Sequence, residues 1–244
     1  MSSADDPQTQ PRTTSEGSTP FVVAVDGTSG SGKSSTCRAV AQRLGLAYLD
    51  TGAQYRAMTW WMLEQGVDVH DPAAVAARSG EPDLVSGTDP SAPTITVDGT
   101  DVSAPIRGDA VNGAVSPVAT VPEVRARLVD LQRATIAAAT SGIVVEGRDI
   151  GSTVAPDAPV KLYLTADPAA RARRRALEEG GTDVAATEAS LRSRDAIDSG
   201  RATSPLTITD GAVRIDSTDL TLEQVVDLVT GLVEEARLGA GART

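Results

Sequence analysis

The feature that most constrains this 244-residue chain is an apolar, β-branched run that stops abruptly in glycine. Val22-Val23-Ala24-Val25-Asp26 leads into Gly27-Thr28-Ser29-Gly30-Ser31-Gly32-Lys33-Ser34, which satisfies G-x-x-x-x-G-K-[ST]. The motif binds phosphate when a strand precedes it and a helix follows it. Both are predicted here. After Ser34, the residues Cys37, Val40, Ala41 and Leu44 recur at helical spacing, and Gly45 is a natural stop. Glycines let successive backbone N–H groups point inward, and the helix N-terminus adds positive potential. Lys33 is then placed to reach the β- and γ-phosphates, and the Ser34 hydroxyl to ligate magnesium. An ordinary glycine-rich turn is the plainer alternative; the full consensus in the right context outweighs it.

Composition narrows the surroundings. Hydrophobic residues make up 40% and charged residues 23%, the balance of a globular body. Only six residues are Phe, Tyr or Trp, so the core must be built from Val, Leu, Ile and Ala. A net charge of −11 argues against nonspecific binding to nucleic acid or acidic membranes. Arginine nevertheless supplies all but two of the 22 basic residues, and its planar fork matches phosphate oxygens bidentately. No apolar run is long enough to span a membrane, and no signal peptide is visible. The single cysteine, Cys37, excludes an internal disulfide and a cysteine-clustered metal site. The expectation is a cytoplasmic monomer that acts on small molecules, with no nucleic-acid or membrane partner.

Along the chain, residues 1–20 are rich in Ser, Thr, Pro, Asp and Gln and read as a disordered tail. Phe21 to Asp26 and Tyr48 to Asp50 are strands joined by the helix after Lys33, so the sheet should be parallel. Asp71-Pro72 opens a short helix, with Asp at the cap. Thr94 to Val97, the turn at Asp98-Gly99 and Asp101-Val102 form a hairpin, which marks an antiparallel insert. The α/β rhythm returns with a helix within Val121–Thr140 and strands at Ile143–Val145 and Val160–Leu164. Asp167-Pro168 caps another helix. Glu178 to Thr187 reads as a mobile polar loop, with Thr187 capping the helix that carries Arg194 and Asp198. Ala212 to Ile215 is a fifth strand. Thr221 and Gln224 form a capping box for a last helix striped by Leu222, Val225, Val226, Val229 and Leu232.

Arg56 and Arg148 each follow the C-terminal end of a strand, where ligands bind in open α/β sheets. Arg194, Asp198 and Arg201, at i, i+4 and i+7, share one helix face. Taken alone, that face reads as a solvated ion-pair stripe, and Arg173 to Arg175 as surface. Arg148-Asp149 differs, because two charges directly after a buried strand need a reason to be there.

Together these blocks make the chain resemble the bacterial cytidylate kinases, a branch of the nucleoside-monophosphate kinases, over roughly residues 21–235. The matching stretches are DGTSGSGKSS, LDTGAQYR, DVSAPIR, Ala114-Val115-Ser116, PEVRARLVDLQR, EGRDIGSTVAPDAPVKLYLTA and RDAIDSGRATSPL. Departures are small: Ser34 stands where many relatives have Gly, Gln54 replaces an apolar residue, and Thr51 replaces a Ser. The resemblance implies an α/β P-loop NTPase fold: a five-stranded parallel sheet with helices on both faces, an antiparallel NMP-binding insert and a short LID. It divides the chain into a kinase domain over 21–239, with the insert at 62–111 and the LID at 171–186, and a C-terminal tail at 240–244.

By the same resemblance, Gly27, Thr28, Ser29, Gly30, Ser31, Gly32, Lys33, Ser34 and Ser35 bind the ATP phosphates. Ser34, or Ser35 beside it, ligates Mg²⁺. Thr51, Arg56, Arg148 and Arg201 surround the acceptor CMP phosphate. Ser116, Arg125 and Asp149 read cytosine, and Arg194 and Asp198 hold the ribose. Arg171, Arg174 and Arg175 are weaker candidates for the donor side. Lys33, Arg148 and Arg201 carry the transfer itself, and the reaction is ATP + (d)CMP → ADP + (d)CDP. The alternatives are a P-loop kinase for UMP or a shikimate- or gluconate-type acceptor, and a nucleotide switch. A shikimate- or gluconate-type kinase needs neither the insert nor the R-D-x-x-D-x-x-R face. A GTPase switch needs an N-K-x-D element, which neither Lys33 nor Lys161 supplies.

Overall fold

The structure, a computed structural model, describes residues 20–178, 183–201 and 205–241. The expected tail before Pro20, residues 179–182 of the expected LID and residues 242–244 lie outside the described residues. In chain order the elements are β1 (Val22–Gly27), α1 (Lys33–Leu44), β2 (Ala47–Asp50), α2 (Thr51–Glu64) and α3 (Pro72–Arg78). Then come β3 (Leu84–Ser86), β4 (Ile95–Val97), β5 (Thr100–Asp101), α4 (Asp109–Val118) and α5 (Pro122–Ala137). The chain continues through β6 (Ile143–Glu146), β7 (Val160–Thr165), α6 (Pro168–Glu178), α7 (Val184–Ser199), β8 (Val213–Asp216) and α8 (Leu222–Gly241).

The main sheet runs β2-β6-β1-β7-β8, and every pairing is parallel. β1 lies at its centre and is buried along its whole length, which is why its sequence is a continuous apolar run rather than an alternation. One face packs Val23, Val25, Val144 and Leu162 against Cys37 and Val40 of α1 and Val225, Val229 and Val233 of α8. The other packs Val22, Ala24 and Val145 against Val129 and Ile136 of α5. Apart from Tyr48, the buried members of both layers are aliphatic or small, as the shortage of aromatic residues requires. The register sets Val25 and Asp50 opposite Glu146, so β1, β2 and β6 release their loops at one level of the sheet edge.

The hairpin is present and gains a third strand, in the order β3-β4-β5. Leu84, Ile95 and Val97 of this small sheet share a second core with Met58, Trp61 and Met62 of α2 and Val124 and Leu128 of α5. Asp71 caps α3 by accepting from the Ala73 N–H at 2.9 Å. The Thr221–Gln224 capping box forms in both directions, at 2.8 and 3.2 Å. Leu222, placed on the buried stripe by its spacing, instead sits in the first turn of α8 and faces solvent. Helix α8 itself continues to Gly241.

The reading of the polar loop needs correction. Helix α7 begins at Val184, and its cap is Asp183, whose carboxylate accepts from the Ala186 N–H at 2.9 Å. Thr187 lies inside the helix and donates its hydroxyl to the Asp183 carbonyl. Asp and Thr are both good caps, but Ala185 and Ala186 favour helix strongly enough to extend it back to the earlier one. Arg201 lies beyond the end of α7, so it joins Arg194 and Asp198 through the fold rather than along a helix face.

Candidate active site

A cleft of about 480 Å³ opens at the C-terminal edge of the sheet, between the loop after β1, the small sheet and α7. Its donor end is the loop from Gly27 to Ser34. Gly27 has φ +148, and a Cβ there would lie 1.9 Å from the Leu164 carbonyl oxygen, so only glycine lets the loop leave β1 beside β7. Lys33 Nζ donates to the carbonyls of Gly27 (3.0 Å) and Thr28 (2.6 Å), curling the side chain over its own loop. Burial, and then the Arg148 charge, holds its pKa below that of an ordinary lysine. The Ser31 hydroxyl closes the loop onto the Thr28 carbonyl at 2.9 Å.

Beside Lys33 stands a buried carboxyl. Glu146, the last residue of β6, accepts the Tyr48 hydroxyl and a hydrogen bond from Ser34. Burial first, and then repulsion from Asp50, raises its pKa above that of an ordinary glutamate. Thr51 lines the cleft but donates its hydroxyl to the Glu146 carbonyl at 2.7 Å. The next residue, Gly147, packs so closely that a Cβ would lie 2.7 Å from Thr51 Oγ1 and 2.6 Å from Ile150 Cδ1.

The middle of the cleft is crowded with guanidinium groups. Arg148 Nε donates to Asp198 Oδ2 at 2.9 Å, and Arg201 pairs with the other oxygen of that carboxylate. Asp198 is itself buried. Arg201 also lines the cleft, and its Nε is buried without a hydrogen-bond partner among the described residues. Arg56 is held by Asn112 Oδ1 at 2.6 Å and the Ile106 carbonyl at 3.3 Å. Its pKa is pulled down to about 9 by burial and by the charge of Arg194. Arg194 is lowered by burial and by Arg148, and Arg201 chiefly by burial. Like charges held together away from water need an anion to balance them. The cleft is built for a polyanion.

At the far end the wall is Tyr55, Ile106, Val115, Ser116, Ala119 and Asp149. Asp149 is locked by a buried ion pair with Arg125, which also donates to the Ala119 carbonyl at 3.3 Å. The Arg125 guanidinium stands 5.7 Å from the centre of the Tyr55 ring. One end of the cleft is thus a glycine-rich loop at a helix N-terminus, the centre gathers arginines, and the other end offers a hydroxyl and a fixed carboxylate.

Sequence comparison gives the family. The family model described as cytidylate kinase matches residues 23–235. The chain belongs to the cytidylate kinase family. A curated cytidylate kinase from Streptomyces avermitilis is 61% identical over 216 residues, covering 88% of this chain and 94% of that protein. One from Nocardia farcinica is 53% identical over 221 residues, 89% of this chain and 95% of its own length. One from Corynebacterium glutamicum is 48% identical over 218 residues, 88% and 94% respectively.

Most residues expected of a cytidylate kinase site come together. Ser29, Gly30, Gly32, Lys33, Ser34, Ser35, Thr51, Arg56, Ser116, Arg148, Asp149, Arg175, Arg194, Asp198 and Arg201 all line the one cleft. Gly27, Thr28 and Ser31 shape the donor loop from behind it. Arg125 is not in the cleft wall and stands behind it, against Asp149, Ala119 and Tyr55. Arg174 is also outside the wall: it donates to Ser217 Oγ and to the Ser217 and Thr218 carbonyls, and Ser217 Oγ in turn bonds the Ser31 carbonyl. Gln54 is fully buried in α2, where its Nε2 donates to Ser86 Oγ at 3.0 Å, which accounts for an amide at an apolar position. The sequence reading assigned no role to Glu146, Asp50, Tyr55 or Arg107, all of which border the cleft. Glu146 had a signal, since it is an acid closing a buried strand one residue before Gly147-Arg148.

Proposed function

We propose that this cleft transfers the γ-phosphoryl group of ATP to CMP or dCMP in the manner laid out by its three regions. The protein is an ATP-dependent phosphotransferase of the cytidylate kinase family. The observation that carries the residue-level reading is the arginine cluster, with Arg56, Arg148, Arg194 and Arg201 packed between a phosphate-binding loop and a polar pocket. Phosphoryl transfer between two polyanions needs charge neutralisation and in-line alignment more than acid–base chemistry. A phosphate monoester dianion is already a nucleophile, so no side chain has to act as general base. Gly27 to Ser35 hold the donor phosphates, and Lys33 is placed against the transferring group. Arg56, Arg148 and Arg201 hold the acceptor phosphate, Arg194 and Asp198 the sugar, and Ser116 and Asp149 the base. The insert at 62–111 and the segment at 171–186 are the parts that close over the substrates and exclude water.

The donor set also suits magnesium. Ser34 and the raised carboxyl of Glu146, with Asp50 beside it, offer hard oxygen ligands, and a divalent cation would offset the cost of keeping two acids together. Ser34 and Glu146 would hold the ion, which neutralises phosphate charge when bound. Among the described residues no helix is long and apolar enough to cross a membrane.

The test is ADP formation with ATP and each of CMP, dCMP, UMP, AMP, GMP, shikimate and gluconate. CMP and dCMP are expected to lead; turnover with another acceptor alone would refute the proposal. A second measurement addresses Asp198. Because its carboxylate carries both Arg148 and Arg201, Asp198→Ala should lower kcat/KM for CMP and dCMP alike by ~10-fold or more. CMP should lose a further several-fold, because its 2′-OH is a donor that deoxyribose lacks. Equal losses for the two nucleotides would rule out a 2′-OH contact at Asp198.

A further inference from the structure

The Ser29 peptide, at the outer corner of the donor loop, is gripped from both sides by groups far away in the chain. Its N–H donates to Asp195 Oδ1 at 3.1 Å, and its carbonyl accepts from Arg171 Nη1 at 2.8 Å. The same Nη1 donates to Asp195 Oδ2 at 2.5 Å, and Arg171 Nε donates to the Ala166 carbonyl at 3.1 Å. The Arg171 and Asp195 side chains are only 5% and 16% exposed. Two charges withdrawn this far from water are costly unless well paired, and here they satisfy each other around one peptide. The same helices close over Gly30, where a Cβ would lie 3.4 Å from Leu191 Cδ1 and 3.5 Å from the Arg171 Cβ.

Asp195 also stands on α7 between Arg194 and Asp198, which line the cleft. Asp198 carries Arg148 and Arg201. One rigid helix therefore touches the donor loop through Asp195 and the acceptor arginines through Asp198. Any shift of α7 would reach the Ser29 peptide through Asp195.

We propose that Asp195, acting with Arg171, is a positioning residue for the transfer: it holds the Ser29 peptide in register with α7 and so links ATP affinity to acceptor occupancy. The proposal rests on the assignment of the glycine loop to ATP and of Arg194 and Asp198 to the acceptor. Asp195 itself touches neither substrate.

The experiment measures kcat and both KM values for Asp195→Asn and Arg171→Lys, with calorimetric titration of a non-hydrolysable ATP analogue in the presence and absence of CMP. The wild-type protein should bind the analogue ~5-fold or more tightly with CMP present. Both variants should lose that difference and raise the ATP KM by ~10-fold, and by reciprocity the CMP KM at saturating ATP should rise by about the ~5-fold coupling that is lost. Their combination should be no worse than the worse single change, because both act on one peptide. Equal analogue affinity with and without CMP in the wild type overturns the proposal. So does an unchanged ATP KM in the variants, including the pattern of a purely structural role, a lowered Tm with both KM values intact. Should Asp195→Asn fail to fold, Arg171→Lys keeps the charge and carries the same readings. Loss of CMP turnover in the wild type itself would count against the functional assignment instead.

Discussion

Lys33→Met is expected to lower kcat with ATP and CMP by at least ~10²-fold, because it removes the cation aimed at the group in transfer. The folded protein keeps this charge at a cost. Lys33 is buried, and both burial and Arg148 work against its protonation. Its ammonium is held by two carbonyls of its own loop, and the neighbouring Glu146 only partly makes up the missing counter-charge. A polyphosphate supplies that counter-charge, and most strongly where negative charge is redistributed during transfer. Methionine preserves much of the aliphatic stem, and the two carbonyls each lose one donor, worth about 1 kcal/mol apiece. Melting temperature should therefore move by only a few degrees. Initial rates of ADP formation beside a thermal melt check both halves. Near-normal turnover in a folded variant would remove Lys33 from the mechanism.

The second large effect concerns the base. CMP should exceed UMP by ~10²-fold in kcat/KM, because cytosine presents an amine at position 4 where uracil presents a carbonyl oxygen. An ionised carboxylate only accepts hydrogen bonds, so Asp149 placed against position 4 welcomes one base and repels the other. The structure adds a constraint on testing this. Among the described residues Asp149 is the one ion-pair partner of Arg125, and both side chains are almost fully buried. Asp149→Ala would leave that guanidinium uncompensated and cost ~3–5 kcal/mol of stability besides weakening CMP. Asp149→Asn is the cleaner variant. Its carbonyl can still accept from Arg125 while its amide can donate to uracil, so the preference should narrow or reverse toward UMP. Comparable kcat/KM for CMP and UMP in the wild-type protein would defeat the base-reading role.

Legibility varied along the chain for identifiable reasons. The donor loop was readable because its consensus is local and its flanks have clear periodicity. The hairpin was readable because Asp98-Gly99 is a strong turn, whereas β3 was not, since a three-residue strand exists only through pairing with β4. Helix α4 was missed for the opposite reason. Asn112, Gly113 and Pro117 all argue against helix, and burial of Val111, Ala114, Val115 and Val118 overrides them. Helix α2 starts directly at the end of β2, with Asp50 both closing the strand and capping the helix through the Ala53 N–H. No linker announced it.

The sequence by itself determined the class of chemistry. A complete phosphate-binding consensus between strand and helix, with arginines following strand ends, specifies a P-loop enzyme acting on phosphorylated substrates, because those signals are short-range and need no knowledge of packing. Only the tertiary structure decided what the arginines are doing. The Arg194–Arg201 face reads as a solvated stripe in one dimension, but the fold buries it beside Arg56 and Arg148 in one cation-rich cleft wall. The pairing of Ser29 with Asp195 spans 166 positions, and that of Arg125 with Asp149 joins different elements. Desolvation and distance set the worth of each charge, and both are properties of the folded chain alone.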